Sequence, residues 1–192
     1  CGSGELLLKL RKSGFTNVSG IDPFIEKEIN YEGGVTVYKK SLDQIIGQYD
    51  LVVFNHSFEH MQDQEEVLEK VFGLLKKGGC ALVRIPIAGT YAWRTYGVNW
   101  VQLDAPRHFF LHTVASMKLL GARVGFKPIE AVFDSRDFQL WGSEQYLKGI
   151  PLRDKRSYAE LYDESLFSKQ QMREFGEKAE ALNRANDGDA AS

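Results

Sequence analysis

The sequence is poor in cysteine, with two among 192 residues, and in proline, with five. Cys1 and Cys80 cannot build the disulfide framework of a small secreted scaffold, and Cys80 lies in a strand-like run. A reducing, cytoplasmic setting is therefore expected. Basic charge is not in excess either: 24 lysines and arginines face 26 acids, for a formal charge of −2. Nucleic acid and anionic membrane both call for a basic footprint, so neither is expected as a partner. No apolar run approaches the roughly 18 residues of a membrane span, and Arg84 interrupts the best one. A signal peptide is not expected. Methionine is also missing from the first position. The chain opens on Cys1-Gly2-Ser3-Gly4, a glycine turn of the kind that normally follows a strand, and so reads as a sequence whose beginning has been lost.

What is present is ordinary globular composition, 43% apolar and 26% charged, in a chain long enough for one sizeable core. Periodicity alternates between helix and strand. Glu5 to Lys12 reads as a short helix, Asn17 to Asp22 and Val35 to Lys39 as strands, and Ser41 to Ile46 as a helix capped by Ser41 with Gln44 at its capping-box position. Asp50 to Phe54 is a continuous apolar run, as in the buried middle of a parallel sheet. Gln64 to Lys76 carries Val67, Leu68, Val71, Leu74 and Leu75 on one stripe behind the cap Asp63. Cys80 to Ile85 reads as a strand, Thr113 to Val124 as a capped helix and Pro128 to Asp134 as another strand. Phe138 to Leu147 is a last strand or a turn of helix, and Ser168 to Arg184 a polar helix.

The expected fold class is α/β, a mostly parallel sheet flanked by helices. The expected organisation is a core over 1–149 with an aromatic lid at about 87–110. Residues 150–192 then form a C-terminal helical extension ending in a disordered NDGDAAS tail.

Gly2-Ser3-Gly4 opens the first helix, and Asp22 closes the next strand 18 residues after Gly4. Glycines let a ligand approach the backbone, and an acid at that strand end accepts hydrogen bonds from ribose hydroxyls. A tight turn and a capping aspartate would read the same way. Leu7 stands where a pyrophosphate-binding turn has its third glycine, and no Gly-Lys-Ser/Thr follows. Dinucleotides and P-loop nucleotides are thus disfavoured. A nucleoside ligand without pyrophosphate remains, namely S-adenosylmethionine.

Cys1-Gly2-Ser3-Gly4 resembles the second half of motif I of the class I S-adenosylmethionine-dependent methyltransferases. The resemblance continues in order through Gly20-Ile21-Asp22-Pro23, Tyr49 to Asn55, and Leu74-Leu75-Lys76-Lys77-Gly78-Gly79. Asp104 to His108, followed by Phe109 to Thr113, looks like a bacterial branch that serves sugar, lipid or secondary-metabolite pathways. The resemblance implies a Rossmann-like fold whose first strand is missing from this chain, with S-adenosyl-L-methionine as cofactor. It implies that Gly2, Ser3 and Gly4 line the methionine and ribose, and that Asp22 holds the ribose hydroxyls. Pro23, Phe24, Ser41 and Leu42 would border the adenine, with Asn55 and His56 facing the sulfonium.

His56-Ser57-Phe58-Glu59-His60 matches the H-x-x-E-H pattern of inverted zinc proteases, but it directly follows a strand and leaves no room for a full helix before Asp63. It is also similar to the Glu-x-x-Glu-His metal site of small-RNA terminal methyltransferases, with His108 as a further ligand. There, however, the first position is Glu rather than His56. The preferred reading is that Glu59 and His60 cap the next helix and shape the pocket, with no metal.

Among the aromatics after the fifth strand, Tyr91, Trp93 and Trp100 are candidate acceptor contacts, as are Asp104 and Arg107, which equally pair with each other. His108 is the candidate general base and His60 the next, since imidazole accepts a hydroxyl proton near neutral pH. The expected reaction is methyl transfer to a small-molecule acceptor. Two rivals are a non-catalytic nucleoside-binding partner on the same fold and an NAD-type oxidoreductase, which Leu7 disfavours.

Overall fold

The computed structural model describes residues 1–161 and 166–192. In chain order the elements are α1 (Glu5–Lys12), β1 (Ser19–Ile21), β2 (Ile29–Tyr31), β3 (Val35–Tyr38), β4 (Tyr49–Asn55), α2 (Gln64–Leu74) and β5 (Leu75–Pro86). They are followed by α3 (Tyr91–Tyr96), α4 (Val114–Val124), α5 (Phe138–Leu147), α6 (Tyr158–Leu161), α7 (Lys169–Arg184) and β6 (Ala190–Ala191). Single 3-10 turns lie at Leu42–Gln44, Phe58–His60, Gly97–Asn99 and Val101–Leu103.

The strands form two sheets of three, ordered β1-β3-β2 and β4-β5-β6. In the first, β1 runs parallel to β3, and β2 returns antiparallel to it. That return strand has no strong sequence signal beyond its turn, where Gly33 and Gly34 both take positive φ, 83° and 80°. In the second sheet β4 pairs in parallel with β5 from Leu51–Cys80 to Asn55–Arg84, and β6 pairs antiparallel with Ile85 and Pro86. Among the described residues, β1 and β4 are each an outer strand of their sheet, as β2 and β6 are at the opposite edges, and no strand pairs with the free edge of β1 or β4.

The main core lies where β4 and β5 meet α2 and α4. Phe54, Phe58, Leu68, Val71, Ile85 and Ile87 are buried there. The 3.6-residue stripe of α2 explains Leu68 and Val71, and α4 starts where Thr113 Oγ1 accepts the Ser116 N–H at 3.0 Å. A second cluster joins Ala92, Tyr96 and Trp100 of the lid to Leu140 of α5.

α5 is buried on several faces, so its sequence lacks an amphipathic stripe and reads ambiguously. Its polar residues tie neighbouring segments down. Ser143 Oγ accepts the Val101 N–H at 3.0 Å, and Gln145 Oε1 accepts the Tyr158 N–H at 2.9 Å.

Two expectations are corrected. Pro128 to Asp134 forms no strand; only Phe133 makes an isolated bridge, to Ala191. The tail is not disordered: Asp189, Ala190 and Ala191 are buried, and Ala190–Ala191 completes the second sheet. Their small side chains fit against the end of β5, a long-range pairing that the polar composition of NDGDAAS conceals. Residues 162–165, inside the expected C-terminal extension, lie outside the described residues.

Candidate functional site

Ligands of open α/β sheets bind beyond the carboxyl ends of the strands, and the predicted nucleoside residues collect at that end of β1, β3 and β4. Gly4, at φ 80°, begins α1. A Cβ there would come 2.6 Å from Val37 Cγ2, so only glycine lets the turn lie this close to β3. Leu7 fills the space beside it, 3.4 Å from the same point.

Asp22 follows β1 and faces the glycine turn. Its Oδ2 accepts the Gly2 N–H at 2.7 Å, while Oδ1 accepts the Phe24 N–H at 2.8 Å. Burial alone would push this carboxyl up. The Gly2 and Phe24 N–H groups favour the charged form, and Asp22 is an ionised acceptor at neutral pH.

A cleft of about 600 Å³ opens at Phe24, the residue whose N–H Asp22 holds; Asp22 itself, the glycine turn, Pro23, Ser41, Asn55 and His56 do not line it. Phe24 and Leu42, both expected at the adenine, line it with Met61, Val67, Phe109 and the exposed ring of His60, and Asp43, Asp63, Glu66 and Lys70 give the other part of its wall a charged lining. Phe24 is 94% exposed, an uncovered aromatic face at the edge of the cleft. Ser41 donates its N–H to Gln44 Oε1 at 3.0 Å and so holds the Leu42–Gln44 turn, which is shorter than the expected helix over 41–46. Phe109 belongs to the aromatic lid segment, whereas Met61 carried no sequence signal as lining.

Asn55 ends β4 and is exposed. His56 takes a left-handed conformation, φ 49°, its Nε2 against the Arg84 guanidinium and its Nδ1 3.4 Å from Glu59 Oε1. Glu59 is 1% exposed, and neither of its carboxylate oxygens has a hydrogen-bond partner. Its backbone carbonyl accepts the Phe109 N–H at 2.9 Å, which clamps the lid onto the turn after β4.

This clamp brings His60 and His108 together, ring centroids 4.9 Å apart. His60 Nδ1 lies 2.9 Å from the Arg107 carbonyl and His108 Nδ1 2.8 Å from the Gln102 carbonyl. Each carbonyl accepts only from an Nδ1–H, which fixes both tautomers and leaves each Nε2 with its lone pair. Only 6% of the His108 side chain is exposed. Burial pushes its pKa below the ordinary value, although the Gln102 carbonyl and the Glu59 and Asp104 charges favour the cation. The exposed ring of the pair is therefore that of His60.

The expected acceptor contacts separate. Arg107 pairs with Asp104 Oδ1 at 2.5 Å, as its neighbour in sequence allowed. Trp93 is 38% exposed and packs edge-on against Trp100. Tyr91 is engaged by Lys178 Nζ, which donates to its hydroxyl at 2.5 Å. Trp100 is fully buried, its indole N–H on Asp189 Oδ2 at 2.8 Å, so it supports the lid and offers no surface to an acceptor.

Residues 1–131 match the family model described as a methyltransferase domain. The chain belongs to this family. The enzyme class, a methyltransferase, and its cofactor, S-adenosylmethionine, follow from that membership and from the class I motifs the chain carries.

Solved structures carry the same Rossmann-like fold. A SAM-dependent methyltransferase from Archaeoglobus fulgidus superposes with TM-score 0.55 at 20% identity, over 100% of this chain and 81% of that one. A Haloferax volcanii complex of the Trm112 activator with a methyltransferase gives 0.60 at 16% identity, over 99% and 76%. The cyclopropane synthase MmaA2 from Mycobacterium tuberculosis gives 0.57 at 15% identity, over 100% and 73%. The chain thus spans roughly three quarters of their length, and the likeness is one of fold. No curated protein matches the sequence.

The residues of this methyltransferase domain fit the cofactor. Gly4 leaves room at the backbone that a Cβ would close. Asp22 is ionised, and two backbone donors leave it about two of four acceptor positions. The cleft beside it presents an aromatic face. When bound, the cofactor supplies a methyl group on a sulfonium.

Proposed function

We propose that the domain transfers this methyl group to a hydroxyl of a small-molecule acceptor, such as a sugar, lipid or secondary metabolite. The observation that carries the proposal is the cleft itself, lined by Phe24, Leu42 and His60, whose Nδ1 is committed to the Arg107 carbonyl. Gly2, Ser3, Gly4 and Asp22 hold the ribose and methionine, Pro23, Phe24, Ser41 and Leu42 the adenine, and Asn55 and His56 border the sulfonium.

In-line displacement depends chiefly on holding donor and nucleophile in register, which can supply roughly 7–11 kcal/mol of the barrier. His60 orients the acceptor hydroxyl and takes its proton as the carbon–oxygen bond forms and the carbon–sulfur bond breaks. His108 stands behind it and sets its position. This exchanges the expected order of the two histidines, because His60 opens on the cleft and His108 is covered.

Trp93, Tyr91 and the Asp104–Arg107 pair border the acceptor from the lid. No helix among the described residues is long and apolar enough to cross a membrane. With two free cysteines, a cytoplasmic setting suits the reading.

The test is calorimetric titration of S-adenosylmethionine and S-adenosylhomocysteine, followed by turnover on matched panels of hydroxyl and amine acceptors. The proposal predicts binding of both nucleosides and methylation of hydroxyls. Methylation of amines alone would refute it.

A further inference from the structure

We infer that Glu59, His60 and His108 form a binding site for one divalent first-row transition-metal cation, zinc being the type. Nothing in the fold or in the methyl-transfer reading requires such a site, and the inference does not rest on that reading. It rests on the state of the three side chains. A carboxylate that is 1% exposed and accepts no hydrogen bond is a costly thing to bury. Two imidazoles sit against it, and one ligand atom from each of the three residues lies within 4.8 Å of the others.

The imidazoles are prepared for coordination. A metal-binding histidine usually donates its other ring N–H to a carbonyl or carboxylate, which fixes the tautomer and makes the free nitrogen a better ligand. Both rings meet that condition, His60 on the Arg107 carbonyl at 2.9 Å and His108 on the Gln102 carbonyl at 2.8 Å. The donor set is two neutral nitrogens and one carboxylate, which suits zinc and the neighbouring divalent ions better than magnesium or calcium.

Ligand bonds of about 2.0–2.2 Å place donors roughly 3.3–3.6 Å apart, so the three atoms must draw in by about one ångström. The exposed ring of His60 has the freedom to do this. Three protein ligands leave coordination positions open toward the cleft that His60 lines. With an ion bound, His60 Nε2 is a ligand and no longer the base it is in the metal-free chain, and a hydroxyl bound to the ion would become more acidic and release its proton to water.

Two other groups face the cluster and define the competing explanation. His56 Nε2 accepts from the Arg84 guanidinium, so the ring carries its proton on Nδ1, 3.4 Å from Glu59 Oε1, where a small shift of the neutral imidazole would satisfy the carboxylate without a metal. Asp104 Oδ2 is 3.7 Å from His108 Nε2, but its other oxygen is held by Arg107.

The experiment uses the full chain, freed of metal by chelator, and titrates Co²⁺ by visible absorption and Zn²⁺ by calorimetry. The expected result is saturation at one ion per chain with ligand-field bands. Glu59→Gln and His60→Gln should each weaken binding by about 10–100-fold or more, and His56→Gln should leave it unchanged. Far-UV circular dichroism and S-adenosylhomocysteine affinity of metal-free Glu59→Gln should match the parent, which separates loss of the metal site from loss of the fold or of the cofactor site. If His108→Gln does not fold, the exposed His60 still decides. No ligand-field bands and no Zn²⁺ heat would overturn the inference. So would Glu59→Gln and His60→Gln that bind as the parent does, or a His56→Gln that abolishes binding.

Discussion

The indole N–H of Trp100 donates to the carboxylate of Asp189 across 2.8 Å, and both side chains are buried. One belongs to the aromatic lid and the other to the last four residues of the chain. The contact joins the two segments whose sequences said least about their structure. Asp189 also passes its backbone carbonyl to the Ile87 N–H at 2.8 Å, at the point where β5 turns into the lid. The lid is therefore anchored at its root by the C-terminus, and its largest aromatic is spent on that anchorage.

Asp189 makes stability depend on pH in an unusual direction. Burial raises its carboxyl to about 6, against the hydrogen bonds from Trp100 and Ser135 that favour the charge. The folded chain thus binds the proton more tightly than the unfolded chain between about pH 4 and 6, and stability falls as pH rises through that window. The loss across that window is on the order of 3 kcal/mol. Asp189→Asn keeps an acceptor for Trp100 and removes the titration. Urea unfolding from pH 4 to 8 should show a flatter profile for the variant and greater stability than the parent at pH 7.5. A variant less stable than the parent at pH 7.5 would mean that the charge is solvated.

Removing residues 189–192 should destabilise the domain strongly. The Ile87 N–H would lose the Asp189 carbonyl, and the Asp134 N–H would lose the Ala190 carbonyl. The reciprocal pair between Val132 and Ser192 would go as well. At about 1 kcal/mol per net hydrogen bond, with exposure of Ile85 in addition, the cost is roughly 5–7 kcal/mol. Thermal melting of the shortened chain should show a fall of many degrees. Unchanged melting would mean that the tail is loose in solution.

How far the sequence could be read follows the range of the interactions. β4 was legible as an apolar run, α2 from its stripe, and α4 from Thr113, whose cap bond is local. β6 was not, because two alanines become a strand only by pairing with Ile85 and Pro86, about a hundred residues away. The same holds for the site. The proximity of Gly2 to Asp22 was implied by the spacing of glycine turn and acid. That His108 would turn its Nδ1 to Gln102 and its other face to Glu59 was not, since the lid folds back through contacts with no period in sequence. Trp100 looked like an acceptor contact for the reason that any aromatic in a lid does; only its partner Asp189 shows otherwise.

Asp22→Ala should weaken S-adenosylhomocysteine binding by on the order of ten- to a hundredfold, corresponding to about 1.5–3 kcal/mol for a charged hydrogen-bond acceptor. The carboxylate is already ionised and turned to the glycine turn, so its loss also releases the Gly2 and Phe24 N–H groups. Asp22→Asn, which retains an oxygen, should lose less. Calorimetry on the three proteins checks the order. Equal affinity in all three would remove Asp22 from the cofactor site.

His60→Gln should lower turnover by roughly 10²–10⁴-fold on a hydroxyl acceptor while leaving S-adenosylhomocysteine affinity unchanged. The reason is geometric. The ring is exposed, lines the cleft and has its Nδ1 committed to the Arg107 carbonyl, so Nε2 is the atom an acceptor meets. His108→Gln should act differently, because 6% of its side chain is exposed and its Nδ1 holds the Gln102 carbonyl. Its loss should lower the melting temperature as well as the rate, and part of the rate should survive per folded molecule. The comparison needs both rates normalised to folded protein. If His60→Gln reduces cofactor affinity in step with turnover, His60 is a wall of the nucleoside pocket and the acceptor is handled elsewhere. If His108→Gln alone abolishes the rate without loss of stability, the buried imidazole is the one that reaches the acceptor, and the lid must open to admit it.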